Sequence, residues 1–434
     1  MSYLQLDSAA PTRATATPRT QPAEAPLPQP AARFLSRQPL LDGDYRVIGY
    51  ELKVNQMTPL PVLPGATSLQ QVRDEALLVS VIDMRYQQVL SRKFTLLELD
   101  PTSLENPMVE QLPKENVILA INAPRPDPAL VSRCQELARQ GFALALDEKT
   151  LVPGLEPLAR ECRYLRLDVA DNGLMALCDR LAQVQGIRGP RLIARNVETE
   201  EAFMACRKLG FDLYQGYFFT QPGATAPRSI DTSRLRVMNL LNLVVGEAEH
   251  ARIEAEFKLD PGLTYKLLRF INSPAVGLRY PVRSIAHALL MLGHEPLHRW
   301  LLLLLFGHEA SDGRNRALLK HALIRARFME ILGEQAADPS RCGGLFVVGI
   351  LSMLEALLNL PMRDALAPLK LAQPVVDALL GGSGVHAPYL ALARACESGD
   401  SDQLAACAAD LGLGPEAVNT AHLAALIWSE GIDL

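Results

Sequence analysis

The sequence predicts an α/β region, a β/α barrel, followed by an all-α domain. Three observations lead there. Between residues 34 and 222, short apolar runs of strand length alternate with longer segments whose apolar residues recur every three or four positions. A Pro/Gly connector, Gly223-Ala-Thr-Ala-Pro-Arg228, then breaks the pattern. Beyond Ile230 the apolar spacing is helical almost throughout. At roughly 100–200 residues per domain, the 434 residues accommodate two or three domains.

Residues 1–33 are rich in Pro, Ala, Thr and Gln and nearly lack aliphatic periodicity. Burial cannot offset the entropy of ordering such a segment, so a disordered leader is expected. Structure is predicted to begin at residues 34–53, two β-rich runs around the Asp42-Gly43-Asp44 turn. Helical spacing over residues 69–90 precedes a strand at 94–99 that ends at Asp100-Pro101, and the pattern repeats as a helix and then a strand at 117–121. Helix 128–140 leads to strand 142–146, helix 155–160 to strand 164–169, and helix 173–185 to strand 191–194. The last unit is an apolar strand, a polar turn, a helix and a short strand ending in aromatic residues. Such alternation means parallel strands joined by helices, for which a barrel is the economical closure. In a β/α barrel the chemistry sits just beyond the C-terminal ends of the strands.

Lys+Arg 43 against Asp+Glu 48 leaves a net charge of -5, so no global basic field points to nucleic acid or a membrane surface. Partners must be recognised by local sites. The seven cysteines are scattered and never form a Cys-x-x-Cys pair, which fits a reducing compartment. No apolar stretch reaches the ~18 residues of a membrane-spanning helix. The N-terminus lacks the basic start and apolar core of a secretory signal, so a cytoplasmic location is expected.

In the helical half, residues 237–245, 252–257, 259–274 and 284–292 carry apolar residues three and four apart. Asp260 is predicted to cap a helix with Pro261 at its first position, and Asn272-Ser273 before Pro274 to serve as turn and capping groups. His294-Glu-Pro-Leu-His298 spells a zinc-protease motif, but that chemistry needs both histidines on one face of a continuous helix. Pro296 is expected to open the helix through Trp300 and Phe306 and so leave His294 outside it. Met238, Met291, Met329, Met353 and Met362 fall in helical runs as core filler. Residues 374–434 read as helices with Ala-rich faces, suited either to tight helix contact or to docking.

Arg191-Leu-Ile-Ala-Arg-Asn-Val-Glu-Thr-Glu-Glu-Ala-Phe203, followed by Leu209-Gly-Phe-Asp-Leu-Tyr-Gln-Gly-Tyr-Phe-Phe-Thr-Gln-Pro222, resembles the closing units of the EAL domain. That domain is the TIM-like barrel of bacterial cyclic di-GMP phosphodiesterases, with the pattern Ala-Glu-x-Val-Glu-Thr and then Gln-Gly-Tyr-x-Phe. Residues 34–53, with Arg37-Gln-Pro-Leu40 and Gly49-Tyr-Glu-Leu52, are similar to its first strands. The resemblance implies site positions one by one. Glu51 stands at the name-giving glutamate, and Asp147 and Gln215 are retained, with Glu148 a longer stand-in for a second aspartate. Glu98 stands where an asparagine ligand is expected and Ala120 where a glutamate is. Arg166 replaces a lysine that serves the hydrolytic water, Arg195 replaces a metal-binding glutamate, and Asn55 replaces an arginine that helps hold the substrate phosphate. Two divalent metals need several oxygen ligands, and a cation ~4 Å from a metal is repelled even at high effective dielectric. Arg166 and Arg195 are therefore expected to pair with Glu51, Asp147 or Glu148 in place of a metal.

Asp260-Pro, Tyr265-Lys-Leu-Leu-Arg269 (with Lys266), Asn272-Ser273, Ser284-Ile-x-x-Ala288 and Leu292-Gly293 resemble the HDOD domain, a helical relative of HD phosphohydrolases without their histidine–aspartate metal centre. Where an HD enzyme would carry His-Asp, Val347-Val348 stands, and no His-Asp dipeptide occurs in the chain. The expected layout is a leader at 1–33, a degenerate EAL-like barrel at 34–222, a linker at 223–230 and an HDOD-like domain at 231–434. The function this implies is a catalytically silent regulator in cyclic di-GMP signalling that acts on other signalling proteins and uses no cofactor or metal. A metal-independent cyclic di-GMP receptor is the alternative, and an active phosphodiesterase a third.

Overall fold

The computed structural model describes residues 34–55, 69–82, 93–123, 128–150, 156–170, 173–184, 187, 189–223, 230–273, 276, 280–307, 312–335 and 343–432. The expected leader at 1–33, most of the connector and the end of the helix expected at 69–90 lie outside the described residues.

Eight strands close into a barrel in chain order: β1 (Phe34–Asp42), β2 (Val47–Asn55), β3 (Phe94–Leu99), β4 (Val117–Ile121), β5 (Ala143–Asp147), β6 (Tyr164–Asp168), β7 (Arg191–Arg195) and β8 (Leu213–Gln215). From β2 to β8 neighbours are parallel, as the strand–helix alternation predicts. β1 departs from that rule. It is the first arm of a hairpin, so it runs antiparallel to β2 and, on its other edge, to β8. Helices Leu69–Ile82, Pro128–Arg139, Glu156–Glu161, Gly173–Val184 and Glu200–Lys208 alternate with the later strands. Between β3 and β4 the expected helix is replaced by two short 3-10 turns, Pro101–Glu105 and Pro107–Gln111, each opened by a proline behind an Asp or Asn cap.

Side chains two apart on a strand share a face. One face of these strands places Leu40, Leu96, Ile118, Ala120, Ala145, Tyr164, Ile193 and Leu213 in a core inside the barrel. The other places Leu97, Leu119, Leu144, Leu165 and Ala194 in the larger core outside it. Strands covered on both faces read as continuous apolar runs, which is why they were legible.

The helical region runs from Thr232–Val245 to Pro415–Glu430. Asp260 caps Pro261–Ile271 by accepting from the Gly262 and Leu263 amides, as predicted. Ser284 caps Ile285–Leu292, and Gly293, at φ 72°, turns the chain by 111° into His294–Gly307. This corrects the expected helix start. His294 is the first helical residue, because Pro296 is accommodated within a first turn that needs no amide donor. His294 stacks on His250 with ring centroids 5.3 Å apart. Met238, Met329 and Met353 are buried as expected, whereas Met291 is half exposed. Among the described residues, no single helix is long and apolar enough to cross a membrane.

The barrel and the helices meet along β1. Helices Ala387–Ser398 and Pro415–Glu430 pack against it, and the Leu35 amide donates to Asn419 Oδ1 at 2.9 Å. Ala387, Ala393, Ala395, Ala421 and Ala425 are buried, so their faces make tight contacts rather than an open surface. Gly313, at the start of Gly313–Glu334, touches the β1–β2 turn so closely that a Cβ there would lie 2.2 Å from the Asp44 carbonyl oxygen. A buried polar group completes the junction. Glu397 takes hydrogen bonds from both Arg325 Nε (2.9 Å) and Arg325 Nη2, Arg325 Nη1 donates to Ser352 Oγ at 2.7 Å, and His321 Nε2 lies 3.3 Å from Glu397. Burial opposes the Glu397 charge, but Arg325 and His321 outweigh it and hold the carboxyl well below its ordinary range.

Candidate functional site

The inward parity that builds the barrel core also builds the site. Each site residue continues the inward series of its strand: Glu98 follows Leu96, Asp147 follows Ala145, Arg166 follows Tyr164, Arg195 follows Ile193, and Gln215 follows Leu213. Sheet registry sets Glu98 beside Ala120, Asp147 beside Arg166, and Asp168 beside Arg195. The polar residues therefore collect at the C-terminal mouth of the barrel, above an apolar plug.

Arg166, fully buried, is the hub. Its Nη2 lies 3.0 Å from Glu51 Oε1 and 2.8 Å from Glu98 Oε2, and its Nε 3.3 Å from Asp147 Oδ1. Arg195 closes the ring, with Nη1 3.0 Å from Asp147 Oδ2 and Nη2 3.1 Å from Glu98 Oε2. Glu98 and Asp147 are thus each held by both arginines. Lys53 Nζ contacts Glu51 Oε2 at 2.7 Å, and Gln215 Nε2 donates to that oxygen and, at 2.8 Å, to Gln38 Oε1. Three carboxylates meet three cations, so the mouth is close to formal neutrality.

Charge and burial compete at each member. At Glu98 burial opposes ionisation most strongly, yet Arg166 and Arg195 prevail and lower its pKa to about 2. At Asp147 burial prevails over the same arginines and the pKa is raised. Burial disfavours the Arg166 cation, but Glu51, Asp147 and Glu98 outweigh it and raise its pKa. Such mutual dependence is typical of buried charges, whose separation from water is offset only by close, well-oriented partners. Arg166 Nη1, Arg195 Nε and Gln215 Oε1 are buried with no hydrogen-bond partner among the described residues.

The expected pairing of Arg166 and Arg195 with Glu51 and Asp147 is present, but Glu148 is not in the ring. It points outward and pairs with Arg180 Nη1, while the Asp168 amide donates to it at 3.4 Å. Burial, only partly offset by Arg180, raises the Glu148 pKa. The reason is that β5 ends at Asp147 and the chain turns into the 3-10 segment Glu148–Thr150, so Glu148 does not continue the inward series of the strand. Glu98 takes the place expected of Glu148. Ala120 lies in the barrel core and supplies no polar atom. The Asn55 side chain lies outside the described residues. Lys53 and Gln38 were not singled out in advance. Both share the inward parity, Lys53 with Glu51 and Gln38 with Leu40, and that signal would have found them.

The helical motif residues make local contacts. Asp260 pairs with Arg236 Nη1 at 3.2 Å, and its capping hydrogen bonds and this cation outweigh burial to lower its pKa. Asn272 ties the end of its helix to the next segment, donating to the Leu268 and Val282 carbonyls at 2.8 Å and accepting from the Val282 amide at 2.7 Å. The Ser273 amide donates to Phe270, and Lys266 lies half-buried on the same helix.

Residues 232–366 match the HDOD domain family. Over nearly the full chain the protein is similar to two bacterial proteins. YuxH of Bacillus subtilis (strain 168) is 26% identical over 410 residues, covering 92% of this chain and 98% of YuxH. The cyclic di-GMP phosphodiesterase CdgJ of Vibrio cholerae is 27% identical over 406 residues, covering 92% of this chain and 93% of CdgJ. The EAL domain protein of Listeria monocytogenes EGD-e aligns in structure with a TM-score of 0.35 and 17% identity, over 43% of this chain and 87% of that one.

Proposed function

We propose, taking as premise an HDOD domain at residues 232–366 behind an eight-stranded EAL-like barrel, that this chain is a catalytically silent regulator in cyclic di-GMP signalling that acts through protein contacts. One observation carries the reading. Arg195 lies between Glu98 and Asp147, and Arg166 between Glu51, Glu98 and Asp147, so guanidinium groups hold the carboxylates a metal would need. The mouth does not fit a divalent pair: a cation must displace two arginines from their carboxylates and then sit beside their charge. Ala120 adds no ligand. Cyclic di-GMP enters through the relative named for its hydrolysis, and the silent reading assigns this chain the pathway without the reaction.

A second reading, a metal-independent cyclic di-GMP receptor, is favoured by Arg166 Nη1, Arg195 Nε and Gln215 Oε1, polar atoms at the mouth that a phosphate or base could engage. A cleft of about 210 Å³ lined in part by Lys53, Glu98 and Arg195 adjoins them. Calorimetric titration with cyclic di-GMP, with and without Mg²⁺ and followed by product analysis, separates the readings. Neither binding nor cleavage is expected of a silent regulator. Mg²⁺-independent binding with intact nucleotide would make the chain a receptor, and Mg²⁺-dependent cleavage would refute both. Restoring both carboxylates, Ala120→Glu with Arg195→Glu, should recover Mg²⁺ binding if the mouth descends from a metal site.

A further inference from the structure

The end of the barrel opposite the mouth holds a second polar cleft, about 360 Å³ in volume, that the pairing at the mouth does not involve. Its walls come from both halves of the chain: Asp44, Tyr45 and Arg46 of the β1–β2 turn, Arg207 at the end of Glu200–Lys208, and Asp312 and Arg316 at the start of Gly313–Glu334. Strand direction places it. The β1–β2 turn precedes β2, and Arg207 precedes β8, so both lie at the N-terminal end of the parallel strands, whereas Glu98, Arg166 and Arg195 lie at the other.

Arg46, Arg207 and Arg316 line this one cleft, and among the described residues none has an ion-pair partner. A Cβ on Gly43 would come 3.9 Å from Arg207 Nε, which brings that side chain over the turn. The nearby carboxylates are otherwise engaged or at the rim. Asp42 Oδ1 accepts from the Asp44 and Arg46 amides, Asp312 Oδ1 accepts from the Arg314 amide, and Asp44 is exposed. The aromatic wall, Tyr45, is committed to Phe203 and Phe218 at 4.6 and 5.8 Å and to Glu200 through its hydroxyl. Little apolar surface remains for a base or an acyl chain. The volume lies at the small end of ligand pockets, roughly 300–1,000 Å³.

We propose that this cleft binds a small phosphate-bearing anion and, by touching the barrel and the helical region together, fixes how they are joined. Guanidinium groups suit this ligand because their planar donors match phosphate oxygens two at a time. The site is independent of the mouth and of the function proposed for it.

The test is calorimetric titration of the full chain with inorganic pyrophosphate, alongside phosphate, at low and moderate salt. Saturable one-site binding that weakens with salt is expected. Arg46 and Arg207 are exposed, so Arg46→Ala with Arg207→Ala should leave the fold intact and weaken binding at least about tenfold, the scale of charge-assisted hydrogen bonds. Arg139→Ala, which removes an exposed charge elsewhere, should leave the affinity unchanged. Lack of saturable binding at millimolar pyrophosphate would overturn the proposal. So would equal losses in the Arg139 control, or a loss on Arg195→Gln instead, which would place the anion in the barrel mouth.

Discussion

Replacing Arg166 with Met tests the central feature of the barrel most directly. The side chain is fully buried and contacts three carboxylates, two of them, Glu51 and Asp147, almost wholly buried. Methionine fills comparable space without charge, leaving Glu51, Glu98 and Asp147 against Lys53 and Arg195 alone. Removing one partner from a buried ion pair costs about 3–5 kcal/mol, and the remaining cations argue for the lower end. The effect depends on pH. Because the Glu98 pKa is lowered in the folded chain, its contribution is fully present above the ordinary 4.5 and is lost as pH falls toward about 2. That shift corresponds to stabilisation on the order of 3 kcal/mol. The variant should show a smaller acid-induced loss, since Glu98 then has only Arg195 to favour its charged form. Both tryptophans, Trp300 and Trp428, lie in the helical region, so fluorescence does not report on the barrel. Hydrogen exchange read by mass spectrometry on β5–β7 does. Protection there should fall by about two to four orders of magnitude at pH 7. A fall of less than tenfold, with an unchanged pH profile, would refute the idea that the arginine–carboxylate ring stabilises the barrel.

Three further outcomes follow from the geometry. Gly313→Val should separate the β1–β2 turn from the long helix, because a Cβ there would meet the Asp44 carbonyl oxygen at 2.2 Å; small-angle scattering should show an expanded chain with its helical content retained. Glu397→Ala leaves Arg325 buried without its carboxylate and should cost about 3–5 kcal/mol, read as a lower urea midpoint of tryptophan fluorescence. Asp260→Ala removes a helix cap bonded to two amides and should cost about 0.5–2 kcal/mol in the same assay, whereas Asp260→Asn should lose less.

Local rules carried much of the fold. Strands buried on both faces announce themselves as apolar runs, and β3 and β4 lie at the residues their patterns predict. Asp260 and Pro261 mark a helix start because capping depends only on adjacent residues. The pairing of Arg166 and Arg195 with Glu51 and Asp147 was equally legible, since opposite charges placed at one end of the barrel are drawn together. Glu148 was misplaced because β5 ends one residue earlier, at Asp147, and the 3-10 turn that follows hands Glu148 to Arg180. The His294 start was missed because Pro296 was expected at the first helical position, whereas it occupies the third, still within the turn that needs no amide donor.

The sequence by itself determined the two-part architecture and the barrel positions that carry charge. These follow from periodicity, capping and residue chemistry, all short-range along the chain. Only the tertiary structure decided that Glu98 bridges the two arginines, 68 and 97 residues away in sequence, and that β1 joins barrel to helices. It also brought Arg46, Arg207 and Arg316 to one cleft. The reason is physical: the energy of a charge is set by what lies within a few ångströms of it, and a chain folded into a closed barrel draws those neighbours from every part of its length.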